Sequence, residues 1–286
     1  MSSEETSRVA GANAALATAR SFLFVPGDRP DRFDKAVGVG PDVVIIDLED
    51  AVAADRKDAA REYAVEWLSR GGRAMVRVNG AGTAWHADDV EALRATGAPV
   101  MLPKAQSADV LGDVVARLGY GSVVALVETA RGIRDIDAVC AAEGVVRVAL
   151  GNVDLSAELG VDPDSHTALA HVRGKLVLGA IAAGLPAPID GVSTAFDEPE
   201  RLERDLAHAK ELGFGGKLCI HPKQVSVVND GFLPTEAEKA WAERILGATR
   251  GIDGVAVLDG AMIDAPVIRR AERLAANSAA RPQLSW

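Results

Sequence analysis

Eight short runs of apolar and β-branched residues, separated by stretches of helical periodicity, constrain this chain more than any other feature. The runs are Phe22–Val25, Val43–Leu48, Ala74–Val78, Val100–Leu102, Val123–Val127, Arg147–Leu150, Ile189–Val192 and Lys217–Ile220. Between them, segments such as Arg56–Arg70, Asp88–Ala95 and Glu200–Leu212 return an apolar residue every three or four positions. Strands that alternate with helices run parallel and are joined by crossovers. Eight such units suit a closed (β/α)8 TIM barrel better than an open sheet. A doubly wound fold is the alternative, but Pro26-Gly27-Asp28-Arg29-Pro30 is too proline-rich to open a phosphate-cradling helix after the first strand.

The barrel is expected over residues 21–232, preceded by an Ala-rich leader, residues 1–20, that should fray. Residues 233–286 exceed what a barrel needs and form a C-terminal helical extension. Thr235 and Glu238 have the spacing of a capping box for a helix from Glu236 to about Ala248. Val255–Leu258 reads as a strand, Asp259-Gly260 as a turn, and Ala265 to about Asn277 as a helix. This extension packs on its own barrel or on a neighbouring subunit.

Hydrophobic residues make up 48% of the 286, enough for a large core, which excludes disorder of the whole chain. The formal net charge of −10 repels phosphate backbones, so no nucleic acid is expected as a partner. Cys140 and Cys219 lack metal or disulfide spacing and read as reduced thiols. The apolar run Leu176–Ile189 is too short to span a bilayer, and the acidic start of the chain does not suit a secretory signal. A cytoplasmic protein without membrane attachment is expected.

In such a barrel, chemistry collects where strands end. Those ends carry Asp47, Glu49 and Asp50, then Arg77 and Asn79, Lys104, Glu128, Asp154 and His221. Carboxylates outnumber bases there, and a hard divalent ion such as Mg2+ relieves their repulsion. Glu128 and Asp154, each following an apolar strand, are the candidate metal ligands. Zinc is disfavoured, because neither histidines nor cysteines show ligand spacing. Asp50 and Asp55 read as helix caps or partners of Arg29, Arg32 or Arg56. Arg77 has a planar fork that can grip a substrate carboxylate, or can pair internally with Asp47 or Glu49. Lys104 offers either a Schiff base or a stem that snorkels to the rim. His221 reads equally as an acid–base residue or a structural anchor, and Trp85 with His86 as a lid or interface surface.

Ser21-Phe-Leu-Phe-Val-Pro-Gly-Asp, Val44-Ile-Ile-Asp-Leu-Glu-Asp-Ala-Val, Arg77-Val-Asn, Met101-Leu-Pro-Lys, Val127-Glu-Thr-Ala-Arg-Gly, Gly151-Asn-Val-Asp-Leu, Gly216-Lys-Leu-Cys-Ile-His-Pro-Lys-Gln and Asp259-Gly-Ala-Met-Ile-Asp together resemble the citrate lyase beta subunit-like family of the HpcH/HpaI aldolase superfamily. The resemblance runs in order from about Arg20 to Ala275. It implies a (β/α)8 barrel assembled as a homotrimer, with Mg2+ held by Glu128 and Asp154. It further implies Arg77 as the substrate-carboxylate arginine and Asp47 as a supporting acid. Asp264 would be a proton-transfer residue supplied by a neighbouring subunit, and Arg20 would lie along a coenzyme A thioester. Val153 and Gln106 stand where many relatives carry acids, which bears on substrate choice. The implied reaction is Mg2+-dependent cleavage of a carboxylated 3-hydroxyacyl thioester (citryl, citramalyl or malyl type) to a keto acid and an acyl thioester. The alternatives are a thioester hydrolase on the same scaffold and a subunit that needs an acyl-carrier protein.

Overall fold

A computed structural model describes residues 3–249, 256–258 and 261–277 of the chain. Helix α1 (Ser3–Thr18) leads into β1 (Ser21–Pro26), α2 (Phe33–Gly38), β2 (Val43–Asp47), α3 (Lys57–Ser69), β3 (Met75–Arg77) and α4 (His86–Leu93). There follow β4 (Val100–Leu102), α5 (Ala108–Leu118), β5 (Val123–Val127), α6 (Ala130–Arg134), α7 (Ile136–Cys140) and β6 (Val145–Leu150). The first unit then runs through α8 (Asn152–Leu159), α9 (His166–Ala182), β7 (Ile189–Asp190), α10 (Pro199–Leu212) and β8 (Gly216–Cys219) into α11 (Lys223–Gly231). Strands β1 to β8 close in chain order into one parallel barrel, so the fold is the (β/α)8 barrel that the alternation predicts.

Side chains alternate across a strand, so every second residue faces the barrel interior. Phe22 of β1, Val43 and Ile45 of β2, Met75 of β3, Met101 of β4 and Val124 and Leu126 of β5 form that buried filling with Ala149, Ile189 and Leu218. Continuing the same alternation toward the strand ends reaches Asp47, Arg77, Glu128 and Gly151. The polar residues singled out in the sequence are thus the top layer of an otherwise apolar stack. Register agrees: Pro26 pairs with Asp47, Asp47 with Arg77, and Arg77 with Met101.

The opposite end is closed by α1. The described part of the leader does not fray as composition suggests: Ala12, Leu16 and Ala19 are fully buried, and Leu16 and Ala19 join the barrel filling. Three interactions pin this helix. Asn13 Nδ2 donates to the Gly121 carbonyl at 2.9 Å, and Ser122 Oγ donates to Asn13 Oδ1 at 2.6 Å. Arg147, fully buried in β6, donates through Nη1 to the Leu16 and Ala19 carbonyls at 2.6 and 2.7 Å and through Nε to the Ala187 carbonyl at 2.7 Å. Burial pushes its pKa down to about 9, so it remains a cation at neutral pH. Arg147→Met leaves those carbonyls without a donor and should cost about 2–4 kcal/mol in urea unfolding. A loss under about 0.5 kcal/mol would show that water replaces the guanidinium.

The second unit, Asp230–Arg281, is a separate compact body. Its described part comprises α12 (Glu236–Thr249), the antiparallel pair β9 (Ala256–Leu258) and β10 (Ala261–Ile263), and α13 (Ala265–Asn277). The Thr235 hydroxyl and Glu238 carboxylate exchange the hydrogen bonds of a capping box. Ala242, Ile245, Ile263 and Ala271 form its small core. Val255 and the predicted Asp259-Gly260 turn lie outside the described residues.

Candidate functional site

The C-terminal mouth of the barrel opens into a cavity of about 430 Å3. Its apolar wall comes from Phe24, Leu126, Val192, Leu218 and Ile220, and Asp47, Asp50, Arg77, Glu128 and Asp154 share the lining with them.

Asp47 ends β2 and is 1% exposed. Its Oδ1 accepts from Glu49 N at 2.9 Å and Arg77 Nε at 2.7 Å, and its Oδ2 from Ala51 N at 3.2 Å and Arg77 Nη2 at 2.6 Å. Four donors saturate this carboxylate. It shapes the 48–51 loop and fixes Arg77, which is how a supporting acid would act. The bidentate grip expected between Arg77 and a substrate carboxylate is likewise made with Asp47. What remains toward the cavity is Nη1, which lies 3.2 Å from Glu49 and 3.7 Å from Asp50. Burial works against the Arg77 charge, but Asp47, Glu49 and Asp50 outweigh it and hold the guanidinium ionised well above its ordinary range. Phe24 lies under the same group, 4.8 Å from ring centre to Cζ.

Glu128, directly after β5, is 4% exposed, and Lys104 N donates to its Oε1 at 2.8 Å. Burial, then the charge of Glu49, pushes its pKa up to about 8. Gly151 packs so closely that a Cβ there would fall 2.4 Å from Glu128 Oε2. Asp154 stands in the first turn of α8, half-exposed at the mouth. The turn leading to it is fastened by Asn152, which donates to the Val192 and Pro163 carbonyls and accepts from Val192 N. The Glu-Thr-Ala-Arg-Gly stretch has its own logic. Thr129 caps α6 by accepting from Gly132 N at 3.0 Å, and a Cβ at Gly132 would meet the Ala105 carbonyl at 2.5 Å.

Lys104 Nζ reaches Glu49 Oε1 at 2.7 Å, Asp154 Oδ2 at 3.6 Å and Glu128 Oε1 at 3.8 Å. Burial lowers its proton affinity, yet Glu49 and the other acids more than compensate and hold the ammonium charged above its ordinary range. A Schiff-base nucleophile needs the neutral amine, and these acids favour the charged one. Glu49, only one of several rim acids in the sequence, proves central: its carboxyl is buried between Lys104 and Arg77, and Oε2 accepts no hydrogen bond.

The donor set fits a hard cation. Glu128 and Asp154 approach the same ammonium, the site is rich in carboxylate oxygen, and Glu128 is unwilling to ionise without added positive charge. Among the described residues no cluster of three or more His, Cys, Asp and Glu forms a complete metal cage. An ion that keeps water and substrate as further ligands suits such a pair better than one enclosed by protein.

Other sequence candidates go elsewhere. Arg20 precedes β1 at the end remote from the mouth, where it pairs with Asp42 through backbone N at 2.7 Å and Nε at 3.4 Å. In this structure its contacts are structural ones. His221 stacks on Phe196 with ring centroids 4.7 Å apart and accepts from Lys223 N, as an anchor does. His86 is buried with Nδ1 2.8 Å from the Asn79 carbonyl, and the Lys57 ammonium lies 5.3 Å from the Trp85 ring centre. Asp50 faces Arg77 rather than Arg29, Arg32 or Arg56. Cys140 and Cys219 are free and buried, and burial pushes both thiols up to about 12. In the second unit, Asp264 Oδ1 accepts from Val267 N at 3.3 Å, capping α13. Sequence reasoning missed a buried ionic group behind the barrel wall: Asp190 of β7 holds Lys217 of β8 at 2.9 Å and Arg173 of α9 at 3.0 Å. Its signals were two charges inside apolar strands, Asp190 in Ile189–Val192 and Lys217 in Gly216-Lys-Leu-Cys.

Comparisons with known proteins agree with this architecture. Residues 20–222 match the HpcH/HpaI aldolase/citrate lyase family. A citrate lyase subunit beta-like protein of Mycobacterium tuberculosis is 40% identical over 260 residues, covering 88% of this chain and 93% of the relative. A (3S)-malyl-CoA thioesterase of Cereibacter sphaeroides is 37% identical over 256 residues, covering 86% and 89%. The crystal structure of CitE from Mycobacterium tuberculosis in complex with magnesium, acetoacetate and coenzyme A superposes with a TM-score of 0.79 at 37% identity, covering 92% of this chain and 99% of that one. Matched over most of its length in sequence and in fold, the chain belongs to the HpcH/HpaI aldolase/citrate lyase family.

Proposed function

We propose that this protein is a Mg2+-dependent carbon–carbon lyase that cleaves a carboxylated 3-hydroxyacyl thioester, of citryl, citramalyl or malyl type, to a keto acid and an acyl thioester. The observation that carries the reading is the meeting of Glu128, Asp154 and Arg77 at one half-apolar cavity. The related structure holding magnesium, acetoacetate and coenzyme A supports it.

Glu128 and Asp154 would hold the ion. When bound, Mg2+ supplies Lewis-acid stabilisation to the oxygen that becomes anionic. The chain's own residues do the rest. Arg77 presents Nη1 to the substrate carboxylate while Asp47 locks its other edge, so the head group cannot rotate. The apolar wall takes the carbon skeleton and excludes water. In the cleavage direction a general base takes the 3-hydroxyl proton, C3 becomes a carbonyl, and the C2–C3 bonding pair passes to C2 as a thioester enolate. Protonation at C2 then gives the acyl thioester. Asp264 is assigned that transfer, contributed by a neighbouring subunit of a homotrimer. Asp264→Asn should lower turnover at least 100-fold with Mg2+ and keto-acid binding intact. Retention of more than half of wild-type turnover removes Asp264 from the mechanism.

The relative named (3S)-malyl-CoA thioesterase favours a second reading, hydrolysis of the thioester at the same site. Product identification separates the two. Purified protein with Mg2+ and a panel of 3-hydroxyacyl-CoA substrates should release a keto acid together with an acyl-CoA. Free hydroxy acid plus coenzyme A indicates the hydrolase, and activity only with an acyl-carrier protein indicates a subunit of a larger lyase.

A further inference from the structure

We infer that Lys104 is the resident counter-cation of the metal site: held on Glu49, its ammonium stands beside the Glu128 and Asp154 carboxylates and competes with Mg2+ for them. This inference rests on Glu128 and Asp154 holding Mg2+, as proposed above. Three observations carry it. First, Nζ lies 3.8 Å from Glu128 and 3.6 Å from Asp154, the two residues assigned to the metal, and 2.7 Å from Glu49, which also faces Arg77. Second, Glu49 is 7% exposed, and its Oε1 gives the ammonium a buried place to rest. Third, the backbone is built around this placement. Among the described residues Lys104 is the only non-glycine with positive φ, at 51°, a conformation that β-carbon sterics disfavour. That turn directs the Lys104 N–H onto Glu128 Oε1 at 2.8 Å. One residue thus orients the ligand through its main chain and neutralises the cluster through its side chain.

A dication bound to Glu128 and Asp154 meets the ammonium at close range, and like charges a few ångström apart repel even where, as here, the Lys104 and Asp154 side chains are half-exposed. Lys104 therefore keeps the metal-free site assembled and weakens Mg2+ binding in exchange, a linkage between two cations competing for one set of anions.

The test is calorimetric titration of chelator-stripped wild type, Lys104→Met and Lys104→Arg with Mg2+, without substrate, alongside their metal-free melting temperatures at low salt. Lys104→Met should bind Mg2+ about tenfold more tightly than wild type and melt several degrees lower without metal, with added Mg2+ closing the gap. Lys104→Arg keeps the charge and should stay within about threefold of wild-type affinity. Equal or weaker binding by Lys104→Met, with wild type binding normally, overturns the counter-cation role alone. Absence of Mg2+ binding by wild type overturns the magnesium reading itself, and this inference with it.

Discussion

A protein carrying Arg77→Lys is expected to fold, to bind Mg2+ within a few-fold of wild type, and to lose about 10^3-fold in kcat/KM for thioester cleavage. The loss has two sources. Lysine cannot make the two parallel bonds to Asp47 that now span 2.6 and 2.7 Å, so Asp47 and the loop from Leu48 to Ala51 lose their organising partner. Nor can a point charge hold Asp47 and offer a second, fixed donor to a substrate carboxylate, as Nη1 does. The split between binding and turnover makes the test specific: a collapse of the site would remove Mg2+ binding too. If kcat/KM stays within tenfold of wild type, Arg77 does not orient the substrate.

Glu128→Gln should separate function from stability in opposite directions. Without metal, Glu128 is a buried acid whose pKa is raised from 4.5 to about 8 by burial and by the charge of Glu49. The folded state therefore binds its proton more tightly than the unfolded chain does. As pH rises from about 4.5 to about 8, the unfolded chain loses that proton first, and the metal-free protein loses stability across this window. Glutamine keeps an oxygen for the Lys104 N–H and removes the buried charge. The variant should gain roughly 1–3 kcal/mol over metal-free wild type above about pH 8, with the gain vanishing below about pH 4.5. In the same protein Mg2+ affinity should fall at least 100-fold and cleavage should cease. Urea unfolding across pH and calorimetry read the two arms. A variant less stable than wild type at pH 8, or one that binds Mg2+ normally, contradicts these roles for the residue.

Most of the barrel was legible because its strands are short, apolar and set between helices. Val100–Leu102 and Val123–Val127 stand where periodicity places them, whereas β6 begins two residues early, at Val145, because Val145 and Val146 extend the apolar run before Arg147. The acids and arginine at the mouth were legible for a related reason: a charge at the end of an apolar strand must meet something. What that something is was not legible. Asp47 and Arg77 are adjacent only through the β2–β3 register, and no local pattern shows that Asp47 takes the guanidinium edge expected for substrate. The place of Arg20 before β1, paired with Asp42, was not legible either, because a resemblance carries residue type without stating which end of a strand it occupies. The leader was misread for lack of local signal. Its alanine-rich helix owes its order to burial of Leu16 and Ala19 and to Arg147, more than 120 residues away in sequence. Lys104 shows the same limit, since only the closed barrel brings Glu49, Glu128 and Asp154 around one ammonium.

The shared metal is tested most directly by a crystal of the chelator-stripped protein soaked in Mn2+, a stand-in for Mg2+ with a usable anomalous signal. One strong anomalous peak should appear at the mouth of the barrel, about 2.2 Å from a carboxylate oxygen of Glu128 and from one of Asp154, with Arg77 facing the open side. A peak bound by other residues, or none at saturating Mn2+, contradicts a magnesium site built on Glu128 and Asp154.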